Sequence, residues 1–240
     1  MRGLGRIKLA FESCRMARLH RKHRAQHREA YKTLDNIVEG YRATGGLRHQ
    51  YQRYKLFCLK ELLEHEVPRS ILELGSGTST AVFANYVRGH EATLTTVDES
   101  GEWLESSRAL AEIEPNDRRF RLLRKPKTVN RCGEHLFIGY GLDPKEAFDL
   151  VFVDGPSLRL DGQKRKDAVN DDVLRIIRTN PPRMIVVDGR AATVRALLDA
   201  SRTLYTCSPS DIMKGGCREN YNYFSVFRAA DVYERARCEF

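Results

Sequence analysis

No window of the sequence offers about 18 uncharged apolar residues, so no membrane-spanning helix is expected. The first residues hold no apolar signal-peptide core, which points to a cytoplasmic protein rather than a secreted one. None of the six cysteines (Cys14, Cys58, Cys132, Cys207, Cys217, Cys238) forms a C-x-x-C pair. No Cys/His spacing resembles a zinc site, so they read as reduced thiols in a cytosolic-type compartment. With 17 Gly and 8 Pro in 240 residues, collagen-like and mucin-like chains are excluded. The 41% hydrophobic share excludes disorder throughout. A chain of this length buries roughly 70–75% of its unfolded surface and needs no disulfide or metal staple. Internal repeats and low-complexity tracts are absent.

Acidic residues are nearly missing from one stretch. Residues 1–28 hold nine Lys or Arg and a single acid, Glu12, and so carry +8 of the net +9. The other 212 residues share a net +1, so the high pI belongs to an N-terminal arm and not to the main surface. In that arm Leu4, Ile7, Phe11 and Cys14 fall on one helical face, with basic residues around the rest. Three tasks suit such a helix. It could pack its thin apolar face on the domain or on a second copy, making a homodimer. It could lie on an anionic membrane surface, near an acceptor carried on lipid. It could bind RNA or another polyanion.

Helical periodicity continues through residues 29–45 until Gly45-Gly46, and returns over residues 50–66, ending before Val67-Pro68. Thereafter short apolar runs alternate with helical stretches. Strands are expected at 71–74, 94–97, 120–123, 150–153, 184–187, 203–206 and 223–227. Helices are expected at 81–88, 102–114, 167–178 and 193–202. Continuous apolar strands buried on both faces imply a largely parallel sheet with helices on both sides, a doubly wound α/β fold. Residues 1–66 form the basic arm and lead-in helices, and residues 67–240 the α/β domain. Ligands of such a fold sit at the carboxyl ends of its strands.

The first strand runs into Glu73-Leu74-Gly75-Ser76-Gly77-Thr78-Ser79-Thr80. Two glycines permit a sharp turn and close approach to a ligand, though a plain capped turn would read the same way. The next strand closes on Asp98, and a carboxylate there can accept both hydroxyls of a ribose. A dinucleotide would want a third glycine where Thr80 stands, which argues against a dehydrogenase.

Glu73–Thr78 resembles the glycine-rich first motif of the class I S-adenosylmethionine-dependent methyltransferases. Thr96-Val97-Asp98-Glu99 resembles their second motif, and Phe148–Pro156 the motif around their fourth strand. The resemblance covers about residues 68–228. It implies a Rossmann-like sheet of seven mostly parallel strands and S-adenosylmethionine as cofactor. It also implies cofactor contacts from Glu73, Gly75, Ser76, Gly77, Thr78, Thr80, Asp98, Glu99 and Asp154, with Trp103 a wall beside the adenosine. After the third strand, where the family often supplies an adenine-binding acid, this chain has Arg124-Lys125-Pro126-Lys127.

Asp154 and Asp188 close the fourth and fifth strands, so both should face the cleft as catalytic groups. Related O-methyltransferases hold a divalent metal such as Mg²⁺ with acids at similar places. Here Gly189 stands where the second ligand after the fifth strand would be, which disfavours a metal on Asp154 and Asp188. Arg159 and Arg190 are candidate substrate contacts, although a surface Arg is more often simply solvated. The run 163–167 reads as a solvated helix start. Asn180-Pro181-Pro182-Arg183 looks like a nucleobase-methylation motif but precedes the fifth strand and ends in Arg, so it reads as a helix stop. The expected reaction is methyl transfer to an oxygen of a sugar, a glycan or another small hydroxylated acceptor. The alternatives are RNA methylation guided by the arm and a non-catalytic binding module of the same fold.

Overall fold

The computed structural model describes residues 17–18, 20–43, 52–143, 145–201, 203–209 and 224–230. The apolar face expected on residues 4–14, and Cys14, Cys217 and Cys238, lie outside them. Of the three described cysteines, Cys58 is buried, and Cys132 and Cys207 are exposed.

The lead-in helices are α1 (Arg28–Ala43) and α2 (Gln52–Glu66). In α1, Tyr31, Leu34, Ile37 and Val38 recur at helical spacing and are buried. In α2 seven residues from Tyr54 to Leu63 are buried. Both helices share one hydrophobic cluster with Ile71, Phe83, Phe152 and Val186 of the α/β domain.

The α/β domain then runs β1 (Ser70–Leu74), α3 (Thr78–Gly89), β2 (Thr93–Asp98), α4 (Gly101–Leu110) and β3 (Phe120–Arg124). It continues with β4 (Thr128–Cys132), β5 (His135–Gly139), β6 (Leu150–Val153), β7 (Arg159–Leu160), β8 (Gln163–Lys164) and β9 (Val169–Asn170). The last elements are α5 (Asp171–Thr179), β10 (Met184–Asp188), α6 (Ala191–Ala200), β11 (Tyr205–Pro209) and β12 (Phe224–Ala229).

The main sheet has seven strands in the order β11-β12-β10-β6-β1-β2-β3. Four parallel pairings join its five central strands, with Leu72 opposite Thr95 and Val151, and Phe152 opposite Val186. The last strand, β12, inserts antiparallel between β10 and β11, so the seven-stranded, mostly parallel expectation holds. The period-2 alternation sorts the strand side chains onto two faces. Leu150 and Phe152 meet α1–α3, while Val151 and Val153 meet the cluster of α5 and α6. Truncating Phe152, 1% exposed, would cost about 3–5 kcal/mol by the usual cavity arithmetic.

Several boundaries differ from the sequence reading. Helix α3 starts at Thr78, three residues before the expected 81, because the chain turns straight out of Gly77. Helix α4 stops at Leu110, four residues early, and Glu112 adopts a positive φ of 51°. Residues 167–170 are not helical: Val169-Asn170 pair with β5, and the Asn170 side chain accepts from Val173 N to cap α5. Residues 163–164 form a hairpin strand rather than a helix start. Hairpin β4–β5 was not expected, and it replaces the helix that would normally follow β3. Helix α5 does stop at Thr179, with Asn180 as its C-cap. No described helix is long and apolar enough to cross a membrane.

Residues 20–26 are helical, and this part of the basic segment packs on the body instead of projecting from it. His23 is buried, its Nδ1 3.0 Å from the Tyr31 hydroxyl, and its ring lies edge-on to Phe57 at 4.7 Å. Burial and the neighbouring His23 hold His20 at about 4, well below its ordinary value.

Candidate functional site

The carboxyl ends of β1, β2, β6 and β10 lie side by side, as the strand order dictates. At β1 the chain needs glycine for two different reasons. Gly75 has φ +95°, and a Cβ there would stand 2.5 Å from Gly155 N and 2.8 Å from Gly155 Cα. The loop after β1 thus packs backbone to backbone on the loop after β6, with Asp154 N donating to Leu74 O at 2.9 Å. A Cβ on Gly77 would meet nothing within 4 Å. Gly77 therefore fronts open space, the property a ligand cradle requires.

Beneath this loop sits Glu73, fully buried. Its Oε1 accepts from Ser79 Oγ at 2.6 Å, and its Oε2 from Thr80 and Thr96 Oγ1, both at 2.8 Å. Burial pushes its carboxyl up to about 8, against the pull of those three hydroxyls. Thr80 Oγ1 in turn accepts from Gly77 N at 3.0 Å. Glu73 and Thr80 face inward and shape the loop from below. Asp98 does the same from the side: its Oδ2 accepts from Ser76 N (2.7 Å) and Ser76 Oγ (2.8 Å), and its Oδ1 from Ser100 N (2.8 Å).

A cavity of about 190 Å³ opens in front of the loop. Of the residues expected from sequence, Ser76, Gly77, Thr78, Asp154 and Asp188 line it. Asp154 is reached by water through the open cleft, yet protein surrounds it closely. That enclosure and the nearby Asp188 push its carboxyl upward, while Arg190 and Lys55 oppose the shift. Water in the cleft screens part of that enclosure.

The other expected residues stand outside the cavity. Glu99 ties β2 to the loop after β6, accepting from Tyr140 Oη and from Ser157 N, both at 2.9 Å. Trp103, 39% exposed, stacks at a tilt on Tyr41 with centroids 5.8 Å apart. Arg159 is exposed on hairpin β7–β8, its carbonyl accepting from Lys127 Nζ at 2.7 Å. Arg190 is not solvated but buried, its Nη2 donating to the carbonyls of Asp154 and Pro156. It braces the loop that carries Asp154.

Sequence reasoning missed one wall altogether. Tyr41 of α1, Gln52, Lys55, Leu56 and Leu59 of α2, and Phe224 of β12 line the same cavity. Gln52 Nε2 donates to Thr78 Oγ1 at 3.2 Å, and Lys55 Nζ donates to Asp188 Oδ2. The Lys55 ammonium also lies 5.6 Å from the centre of the Phe224 ring. The one available signal was a lysine interrupting the buried run Tyr54–Leu59.

A divalent metal does not fit the acid pair. Asp188 is already ion-paired with Lys55, and Gly189 offers no side-chain ligand. Among the described residues no group of three or more His, Cys, Asp or Glu is gathered to hold a metal ion, so only the two carboxylates could serve, and Lys55 already occupies Asp188.

No family model matches the chain, and no curated protein matches it by sequence. Solved structures do match it by shape. An O-methyltransferase from Bacillus cereus, solved in complex with S-adenosylhomocysteine, is 14% identical with a TM-score of 0.54, over 83% of this chain and 91% of that one. The O-methyltransferase TomG from Streptomyces achromogenes, solved with S-adenosylmethionine, is 16% identical with a TM-score of 0.51, over 82% and 89%. The S-adenosylhomocysteine-bound methyltransferase PaMTH1 of Podospora anserina is 16% identical with a TM-score of 0.51, over 82% and 88%. At these identities the common property is the architecture: this chain has the Rossmann-like fold of the class I S-adenosylmethionine-dependent methyltransferases.

Proposed function

We propose that the protein is an S-adenosylmethionine-dependent methyltransferase acting on an oxygen of a small hydroxylated acceptor, with sugars the first class to screen. The observation that carries this reading is the glycine loop. Gly77 fronts a cavity at the carboxyl ends of the parallel strands, and Asp98 fixes the loop through Ser76. When bound, S-adenosylmethionine supplies a methyl group on a positively charged sulfur. The chain's own residues then do three things. Ser76, Gly77 and Thr78 seat the amino-acid end of the cofactor, with Asp98 in reach of the ribose once Ser76 yields. The walls Tyr41, Leu56, Leu59 and Phe224 exclude water and hold a small acceptor in line. Asp154 takes the proton of the acceptor hydroxyl as that oxygen takes the methyl group.

The test is calorimetric titration of the full chain with S-adenosylhomocysteine, wild type beside Asp98→Ala. Binding in the micromolar range, about −8 kcal/mol, weakened by Asp98→Ala, is the expected result. A folded wild type that binds nothing would sink the reading. An acceptor screen with and without Mg²⁺ then follows. Because Asp154 is pushed upward and must be ionised to act as a base, the rate should rise with pH through a value above the ordinary aspartate range.

A further inference from the structure

We propose that Lys55 is the built-in cation of the acceptor site. It is paired with Asp188, which a divalent metal would have to share with Asp154 in the same cavity, and it donates to the acceptor oxygen during transfer. The second half of this statement rests on the methyl-transfer reading; the first half does not.

Lys55 lies in the first turn of α2, between the buried Tyr54 and the buried Leu56. The helix is fixed by its core contacts, so the lysine stem starts from a rigid base. Its ammonium donates to Asp188, beside Phe224, in a partly buried pair with side chains 21% and 13% exposed. From the same turn Gln52 reaches Thr78 at the glycine loop. One helix face therefore touches both the loop of β1 and the acid of β10, and the cavity between them also holds Asp154. A doubly charged ion at Asp188 would have to expel the ammonium or sit against it, and either choice is unfavourable in so enclosed a place. An ammonium has three donors, and Asp188 uses one. Lys55 and Asp188 line a cavity whose remaining charged side chain is Asp154.

The division of labour follows. Lys55 donates to the acceptor oxygen and offsets the negative charge that grows on it. Asp154 receives the hydroxyl proton. The oxygen lone pair forms the new O–C bond as the C–S bond breaks, its electron pair leaving on sulfur. The hydroxyl proton ends on Asp154, and Asp188 keeps Lys55 in place.

The experiment is a Mn²⁺ titration followed by electron paramagnetic resonance on the full chain. Wild type, Asp188→Asn, Lys55→Ala, Lys55→Gln, Lys55→Arg and the double variant Lys55→Ala/Asp188→Asn are compared. Thermal melts confirm folding. Removing the ammonium should create a Mn²⁺ site at least ~10-fold tighter than anything in the wild type. Lys55→Gln serves the same purpose if Lys55→Ala melts early. Lys55→Arg should behave like the wild type, and Asp188→Asn should erase the gain. Mn²⁺ binding by the wild type that Asp188→Asn removes would overturn the proposal, as would no gain in either neutral variant. S-adenosylhomocysteine titration of the same samples separates the two readings. A folded wild type that binds no S-adenosylhomocysteine, with the Mn²⁺ pattern intact, would strike the proposed function and leave the cation site standing.

Discussion

Two glycines two residues apart carry opposite demands. Gly75→Ala places a methyl group 2.5 Å from a backbone nitrogen at a positive φ, and should lower stability by about 1–3 kcal/mol in a denaturant melt. Gly77→Ala meets no atom, so its melt should match the wild type while S-adenosylhomocysteine affinity drops about 10-fold or more. The sequence showed that a glycine turn was needed but not which glycine served the fold. That division depends on Gly155, 80 residues away in the chain, and no local pattern reports it. Glu73 is a similar case. Expected from sequence to contact the cofactor, it lies fully buried beneath the loop, its carboxyl lifted from 4.5 to about 8. Its stabilising proton is fully held in both states below about 4.5. Between there and 8 the unfolded chain has lost the proton and the folded one has not, so stability falls as pH rises. Glu73→Gln should remove this slope. The difference in melting temperature between wild type and Glu73→Gln should favour the wild type more at pH 5 than at pH 8.

At the scale of elements, the parallel core was legible because its strands are unbroken apolar runs. All four residues of β6 are buried, and nothing but a strand covered on both faces suits them. Strand β4 was invisible for the converse reason: four of its five residues are exposed, so no periodic pattern marks it. The functional wall from α1 and α2 was hidden by distance, since nothing near Lys55 names Asp188 as its partner, 133 residues on. The helical turn at 20–27 has its own pH response, opposite in sign to that of Glu73. Burial lowers both His20 and His23. Their contribution is therefore present above the ordinary value of 6.5 and is lost as pH falls towards about 4, where His20 takes its proton. Amide exchange over residues 20–30 should quicken between pH 6 and pH 4, after correction for intrinsic rates, while the β6 amides stay protected. Equal protection at both pH values would show that the histidines do not anchor this turn.

Over the whole molecule, the net charge of +9 is concentrated where the chain begins, and in the described part of that segment His20, His23 and His27 pack on Tyr54 and Phe57 of the body. Arg18, Arg21, Lys22 and Arg28 remain exposed there, whereas Arg24 is paired with Asp35. Changing those four exposed residues to Gln should advance elution from a heparin column and flatten its salt dependence. Binding of S-adenosylhomocysteine should not change if the acceptor is a small molecule. Failure of methylation on an RNA acceptor in that variant, with cofactor binding intact, would instead favour the RNA reading. The placement of β12 has a kinetic meaning. During synthesis β10 and β11 emerge first, and β11 joins the sheet beside β10 only through the later strand β12, which pairs with both. Until then β10 presents an open apolar edge, the most adhesive surface the chain ever shows. The same late strand brings Phe224, which lies under Lys55 in the cavity. Closing the edge and finishing the pocket are thus one event, so a chain that has not yet hidden its sticky flank has no site to work with.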